Sequence, residues 1–314
     1  MAATTHRTRV LIIGAGPAGY TAAIYTARAS LEPMLVAGLQ PGGQLMITTD
    51  VENYPGFAEA IQGPWLMEQM QKQAEHVGTT IAYDLITTVD FTRRPFRCEA
   101  DSGDVYIADA VIIATGAQAR WLGLESERKL QGFGVSACAT CDGFFFRDQD
   151  ICVVGGGDTA LEEAQFLSRF ARTVTVIHRR DELRASRIMQ DRAKANEKIK
   201  WLWNSVVEDI TGETKVESVV VRDTQTGETT AHPFTGVFVA IGHRPNTDLF
   251  ADQLELQPNG YVQTQGATSL TSVDGVFACG DLQDDRYRQA ITAAGSGCMA
   301  AIDAERYLES LHDA

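Results

Sequence analysis

Arg9-Val10-Leu11-Ile12-Ile13-Gly14-Ala15-Gly16-Pro17-Ala18-Gly19 is an apolar strand that runs straight into a glycine turn, and a small-residue helical pattern follows through Ala22, Ala23 and Tyr25 to Ala29. Strand, glycine turn and helix open a dinucleotide-binding βαβ unit. The first glycine permits a tight turn, the second lets the backbone approach a pyrophosphate, and the third lets the helix pack closely on the strand. The pyrophosphate then meets unpaired backbone N–H groups at the positive helix end. One such motif is a weak signal, because glycines also mark ordinary turns. The same script recurs at Ile151-Cys152-Val153-Val154, then Gly155-Gly156-Gly157-Asp158-Thr159-Ala160, then a helix through Leu161, Ala164 and Leu167. Two copies in strand–helix context point to two dinucleotides on one chain.

Working outward, Ala110–Gly116 and Val237–Gly242 are buried strands ending in glycine turns, one for each unit, and Gly275–Asp281 is a third strand ending in Gly-Asp. That last strand follows the second unit, so the C-terminal segment is expected to return and complete the first domain. The expected class is α/β: two Rossmann-like, three-layer dinucleotide-binding domains, with 118–246 inserted into a discontinuous domain of 1–117 and 247–314. A closing helix is expected from about Gln289 to Leu311, with apolar residues at helical spacing.

Composition agrees with that frame. A chain of 314 residues suits two domains. A net charge of −14 argues against a general polyanion binder such as a nucleic-acid protein. The start of the chain carries no secretory pattern, and no run of apolar residues is long enough for a membrane span. Of six cysteines only Cys138 and Cys141 lie close together, which fits one functional pair in a reducing cytoplasm rather than a secreted disulfide framework.

The second strand of the second unit, Thr173–Ile177, ends in His178-Arg179-Arg180, with Arg184 one turn on. An NAD site usually ends this strand with a carboxylate for the ribose 2′-hydroxyl. Guanidinium forks instead match a 2′-phosphate, so the pattern favours NADPH over NADH; the bland alternative is a solvated basic loop. In the first unit Met34–Ala37 runs into Gly38-Leu39-Gln40 without an acidic end, and the Gly42-Gly43-Gln44-Leu45 loop adds backbone suited to an extended cofactor. The turn alone does not name that ligand.

Cys138-Ala139-Thr140-Cys141-Asp142 has the spacing for a small disulfide ring at a helix start or tight turn. Such pairs often hold one low-pKa thiolate, the species that attacks disulfides. A structural zinc would need four ligands, and no second pair stands nearby. Asp142 is placed to move the proton that thiol–disulfide exchange requires, with Phe144, Phe145 and Phe146 beside it to desolvate it; a helix cap or a solvated carboxylate is the plain alternative.

These motifs, with Tyr287-Arg288-Gln289-Ala290, occur in an order and spacing that resembles the low-molecular-weight, bacterial-type thioredoxin reductases over essentially the whole chain. The resemblance implies a homodimeric flavoprotein that passes electrons from NADPH through FAD and a Cys138–Cys141 disulfide to thioredoxin. FAD contacts would map to Gly14, Gly16, Pro17, Ala18, Gly19, Ala37, Gly42, Gly43, Gln44, Leu45, Asn53, Thr115, Gly116, Gly280, Asp281, Arg288, Gln289 and Ala290. NADPH would lie on Gly155, Gly157, Asp158, Thr159 and His178, with Arg179, Arg180 and Arg184 on the 2′-phosphate. Cys141 would be the flavin-proximal sulfur, Cys138 the interchange thiol and Asp142 the acid–base residue, with Phe144 and Phe145 docking the protein substrate. Both the nicotinamide and the cysteine pair would belong to the inserted domain and must reach one flavin, so a domain rotation about the crossings near Gly116 and Gly242 is expected. Flavin reductases and ferredoxin–NADP reductases on this scaffold lack the cysteine pair, alkyl hydroperoxide reductase flavoproteins carry an extra N-terminal redox domain, and a small-molecule dithiol oxidase has little use for the basic cluster. A redox sensor without turnover is the rival from another class.

Overall fold

Successive side chains of a strand point to opposite faces, so a strand buried on both sides is apolar at every position. Thr5–Ile13 shows this in its second half: Val10 and Ile12 enter one core while Leu11 and Ile13 enter another. The computed structural model describes residues 3–48 and 50–311. It divides into two compact units, Met1–Gln118 with Arg244–Ala314, and Ala119–His243.

In the first unit Thr5–Ile13 pairs in parallel with Met34–Val36 on one side and Val105–Ile113 on the other, and Thr80–Ala82 extends the sheet beyond Met34–Val36. The long strand Val105–Ile113 serves two partners. Its last residues pair in parallel with Val276–Ala278, and its first residues pair antiparallel with Phe96–Ala100, which continues to Ile86–Asp90. A strand from the C-terminal segment thus completes a sheet begun at the N-terminus. Helices Pro17–Arg28, Gly63–His76 and Ala290–Ser310 cover one face, contributing Tyr20, Leu66, Met67, Ala300 and Leu308 to its core. The first and last of these approach very closely, since a Cβ on Gly297 would stand 2.2 Å from the Ala18 carbonyl oxygen.

The second unit repeats the logic. Val135–Ser136, Gly236–Val239, Asp150–Val154, Thr173–Ile177 and Ile199–Leu202 form a parallel five-stranded sheet in that order. Ile151 and Val153 pack on helix Asp158–Leu167 through Ala160, Leu161 and Ala164. Cys152 and Val154 pack the other way, on Ile210, Val219 and Val221 of an antiparallel meander, Ser205–Thr211, Ser218–Asp223 and Thr229–His232. The unit is therefore three layers deep. The two crossings, Ala117–Ala119 and His243–Pro245, pair with each other as a two-stranded sheet.

Candidate functional site

At the first glycine turn the Gly14 N–H donates to the Val36 carbonyl, 2.9 Å, with φ at +112°. A Cβ on Gly14 would lie 2.4 Å from the Ala114 carbonyl oxygen, and one on Gly19 would lie 1.9 Å from the Gly14 carbonyl oxygen. Close helix-on-strand packing demands glycine at both. Gly16 differs: it caps helix Pro17–Arg28 in extended conformation, and a Cβ there meets nothing within 4 Å. Pro17, at the start of the helix, has no N–H to leave unpaired, so the free donors of this helix start lie on Ala18 and Gly19. The Gly42 N–H donates to the Ala15 carbonyl, 2.9 Å, and Gly43–Ile47, expected as loop, winds into a 3₁₀ turn with Gln44 exposed and Leu45 packed on the core. The N–H groups of Ala37 and Gly38 donate to the carbonyls of Ala82 and Asp84.

Thr115 and Gly116 are held by a residue the sequence reading left out. Asn246 donates from Nδ2 to the Thr115 carbonyl, 2.7 Å, and from its backbone N–H to the Gly116 carbonyl, 2.9 Å, while Thr115 Oγ1 donates to the Asn246 carbonyl, 2.9 Å. Arg244, two residues before Asn246, pairs with Asp248. Beyond Val276–Ala278, Gly280 lies against Ala18 of the first helix, and its N–H donates to Ser296 Oγ, 2.8 Å. Asp281 follows with a buried Oδ1 that has no hydrogen-bond partner. Burial, helped by the nearby Asp284 charge and opposed by Arg288, pushes its carboxyl up to about 7. The carboxylate of Asp284 takes the N–H groups of Arg286, Tyr287 and Arg288, at 2.9, 2.8 and 3.3 Å, so it shapes the turn that delivers Arg288. Gln289 then caps helix Ala290–Ser310 in a reciprocal box with Thr292, and Asn53 Nδ2 donates to Gln289 Oε1, 3.4 Å.

In the second unit Gly157 plays the part of Gly16: it caps helix Asp158–Leu167 in extended conformation with open space where a Cβ would be. Gly155 is packed against Ala240 and Ala160. Thr159 is half-buried in the first turn of the helix. Asp158 Oδ1 is committed to Ser186, accepting from its N–H and its hydroxyl at 2.8 Å each. Arg179, Arg180 and Arg184 are exposed on the loop above. His178 lies beneath this loop: the residue is 7% exposed, with Nδ1 3.1 Å from the Gly155 carbonyl oxygen and Nε2 2.9 Å from the Glu182 carbonyl oxygen. Each ring nitrogen faces a backbone carbonyl, and a neutral ring, with one N–H, donates to one of the two.

Cys138 and Cys141 are joined in a disulfide, Cα to Cα 5.3 Å, across the start of the short helix Ala139–Asp142. The N–H groups of Cys141 and Asp142 both donate to the Cys138 carbonyl, 3.2 Å each, and the Cys138 N–H donates to Ser136 Oγ, 3.0 Å. Thr140 Oγ1 lies 3.4 Å from Cys138 Sγ. Asp142 ends this helix and holds the N-cap position of the 3₁₀ turn Gly143–Phe146, without a side-chain cap hydrogen bond. Burial pushes its carboxyl up, and a hydrogen bond with Ser136 partly holds it down. Of the three phenylalanines that follow, Phe146 turns inward onto Phe238, whereas Phe144 and Phe145 are 52% and 41% exposed, with Arg147 over the Phe144 ring. Among the described residues, no group of three or more His, Cys, Asp or Glu side chains could hold a metal ion.

Two helix starts with open glycine caps and one cysteine disulfide define a class, the pyridine nucleotide-disulphide oxidoreductases; the family model of that description matches residues 8–297. A thioredoxin reductase of Mycolicibacterium smegmatis is 59% identical over 299 residues, 95% of this chain and 96% of the relative, and one of Rickettsia conorii is 57% identical over 304 residues, 96% and 98%. The thioredoxin reductase structure from Giardia duodenalis superposes with a TM-score of 0.93 at 42% identity, over 97% of this chain and 99% of its own. The chain belongs to the low-molecular-weight, bacterial-type thioredoxin reductases.

Proposed function

We propose that the chain reduces the disulfide of a thioredoxin with electrons from NADPH, holding FAD on Met1–Gln118 with Arg244–Ala314 and NADPH on Ala119–His243. The observation that carries this reading is the Cys138–Cys141 disulfide, set beside a carboxyl raised by burial and just upstream of the strand Asp150–Val154, which opens onto a glycine turn. The residues fit both cofactors. Asp281 Oδ1 is a buried acceptor without a donor, suited to a cofactor hydroxyl, and Gly16 leaves a cradle at a helix start for a diphosphate. Gly157 offers the same cradle in the second unit, and Arg179, Arg180 and Arg184 supply forks for a 2′-phosphate. Bound FAD supplies the two-electron link between a nicotinamide and a disulfide.

The rest is sulfur chemistry on this chain. Two electrons and two protons open the Cys138–Cys141 bond to a dithiol. The Cys138 thiolate attacks one sulfur of the partner disulfide, forming a mixed disulfide while the partner's other sulfur leaves and takes a proton. Asp142, held protonated to higher pH by burial, is placed to supply it. Cys141 then attacks Cys138 in the mixed disulfide, which restores the Cys138–Cys141 bond and releases a reduced partner. The assignment of Cys138 as the outward sulfur and Cys141 as the flavin-side sulfur follows the family resemblance. Exposed Phe144 and Phe145 offer an apolar contact for the partner. Rotation about the paired crossings Ala117–Ala119 and His243–Pro245 lets one flavin serve both the nicotinamide and the disulfide.

A homodimer follows from the resemblance. A reducing, cytoplasmic setting is supported by Cys98, Cys152, Cys279 and Cys298, which stand outside any disulfide, the first three buried. No helix among the described residues is long and apolar enough to cross a membrane. The test is an NADPH-dependent thioredoxin reduction assay on Cys138→Ser and Cys141→Ser. Each variant should lose disulfide reduction by about a thousandfold or more, as when a nucleophile is removed, while NADPH still bleaches the bound flavin. Thioredoxin reduction at the unmodified rate in either variant overturns the proposal.

A further inference from the structure

The loop bearing Arg179, Arg180 and Arg184 has neither helix nor strand between Thr173–Ile177 and Arg187–Ala195. Three exposed guanidinium groups on such a loop would not hold one geometry unaided. The ties that fix it run mostly to a single place, the second glycine turn. The N–H groups of Arg184 and Ala185 both donate to the Gly156 carbonyl, at 2.8 and 3.1 Å. Ser186 is bonded to Asp158. His178 stands between the two segments, with one ring nitrogen 3.1 Å from the Gly155 carbonyl oxygen and the other 2.9 Å from the carbonyl oxygen of Glu182, in the middle of the arginine loop.

The ring also explains Gly156. A Cβ on that residue would stand 2.2 Å from His178 Cε1 and 2.3 Å from Nδ1, so the ring occupies the volume a side chain would need. The backbone of Gly156 is not left-handed, and it is the imidazole that excludes any larger residue. The ring also stands T-shaped to Trp203, centroids 6.3 Å apart, and Trp203 stacks on Trp201 at 5.0 Å. The imidazole thus fills the space between the turn and the loop, one nitrogen facing a carbonyl of each, and its N–H donates to one of them.

We infer that His178 is a positioning residue that sets the preference for a 2′-phosphorylated nicotinamide nucleotide: seated on Gly156, its ring keys the arginine loop to the glycine turn. The inference rests on the reading that this unit takes NADPH. Its consequence is selective. Losing the tether loosens the arginines that meet the 2′-phosphate, but leaves Gly157 and the helix start, which serve NADPH and NADH alike.

The test is the KM for each nucleotide in the holoenzyme with thioredoxin as acceptor. His178→Phe keeps a ring between Gly156 and Trp203 but loses both polar atoms. It should raise the KM for NADPH about tenfold, and that for NADH less than twofold, a fall in selectivity worth one lost tether. His178→Gln, whose amide can reach the Glu182 carbonyl, should recover most of the preference. Gly156→Ala should reproduce the His178→Phe pattern, because the methyl group evicts the ring. The pair should be non-additive: Gly156→Ala placed on His178→Ala should cost no further selectivity. An unchanged ratio of the two KM values in both His178→Phe and Gly156→Ala overturns the inference, as does an equal rise for both nucleotides. Wild-type protein that fails to distinguish NADPH from NADH would instead sink the reading of this unit as an NADPH site.

Discussion

Replacing Asp281 by Asn should weaken the protein's hold on flavin and should stabilise the flavin-free protein above about pH 7 but not at pH 5. The carboxyl is raised to about 7 by burial, with Asp284 adding to the effect and Arg288 opposing it. An unfolded chain loses that proton near pH 4. Below pH 4 both states hold the proton and the group costs nothing. Between about 4 and 7 only the folded state holds it, so stability falls as pH rises. Above about 7 the penalty is complete, and a gap of about three units is worth about 4 kcal/mol. At pH 5 only about 1.5 kcal/mol of it is present. Asparagine removes the charge but buries an amide without partners, at a cost of about 1–3 kcal/mol that does not vary with pH. The stability of Asp281→Asn relative to wild type should therefore improve by about 3 kcal/mol between pH 5 and pH 8. Urea melts of flavin-free protein followed by circular dichroism at the two pH values measure this. Flavin binding should move oppositely, because Oδ1 is the buried acceptor without a donor; calorimetry in two buffers should also show wild type releasing a proton on binding near pH 7. A stability difference identical at pH 5 and pH 8 would refute the reasoning.

Gly19→Ala and Gly16→Ala should separate folding from binding. A Cβ at 19 strikes a backbone carbonyl at 1.9 Å, so that variant should lose on the order of 3 kcal/mol or fail to accumulate; Gly16→Ala should stay folded, yet lose flavin, and a yellow Gly16→Ala protein would contradict the assignment of the cradle. Asp142→Asn should slow the disulfide-exchange step about a hundredfold, the scale of one general acid. Because burial raises this carboxyl, wild type should keep its acid at a pH where an ordinary Asp has lost it, then slow as pH rises through the raised value; single-turnover rates across pH should show that slope in wild type and none in Asp142→Asn.

The parts of the site that could be read from the chain are those written in consecutive residues. Gly14–Gly19, Gly155–Ala160 and Cys138–Asp142 each carry their geometry locally, so spacing alone locates strand end, helix start and disulfide. What escaped is what lies far apart in sequence. Asn246 clamps Thr115 across 131 positions, and Asp158 holds Ser186 across 28. Neither contact leaves a local pattern. The antiparallel strands Ile86–Asp90 and Phe96–Ala100 and the meander Ser205–His232 were also unread, because their half-exposed alternation is weaker than the continuous apolar runs of the parallel strands. The burial of His178 was legible in strand alternation: Val174 and Val176 face the core that packs on helix Asp158–Leu167, and a period of two puts His178 on that same side.

The two glycine turns share a script but divide the work differently, and the difference follows from what each must support. In both, the glycine at the helix cap is the open one, Gly16 and Gly157, with nothing within 4 Å of a Cβ. In both, the glycine at the strand end is crowded by a carbonyl of the neighbouring strand's exit, Ala114 for Gly14 and Ala240 for Gly155. The units part at the remaining positions. The first spends a third glycine, Gly19, on bringing the helix against the turn, and its middle residue is Ala15. The second tolerates Ala160 there but needs Gly156 in the middle, where the His178 ring lies. The first unit places a methyl, Ala15, at that middle position. On the reading of the second unit as the NADPH site, the same volume goes to a ring that faces the turn on one side and the arginine loop on the other.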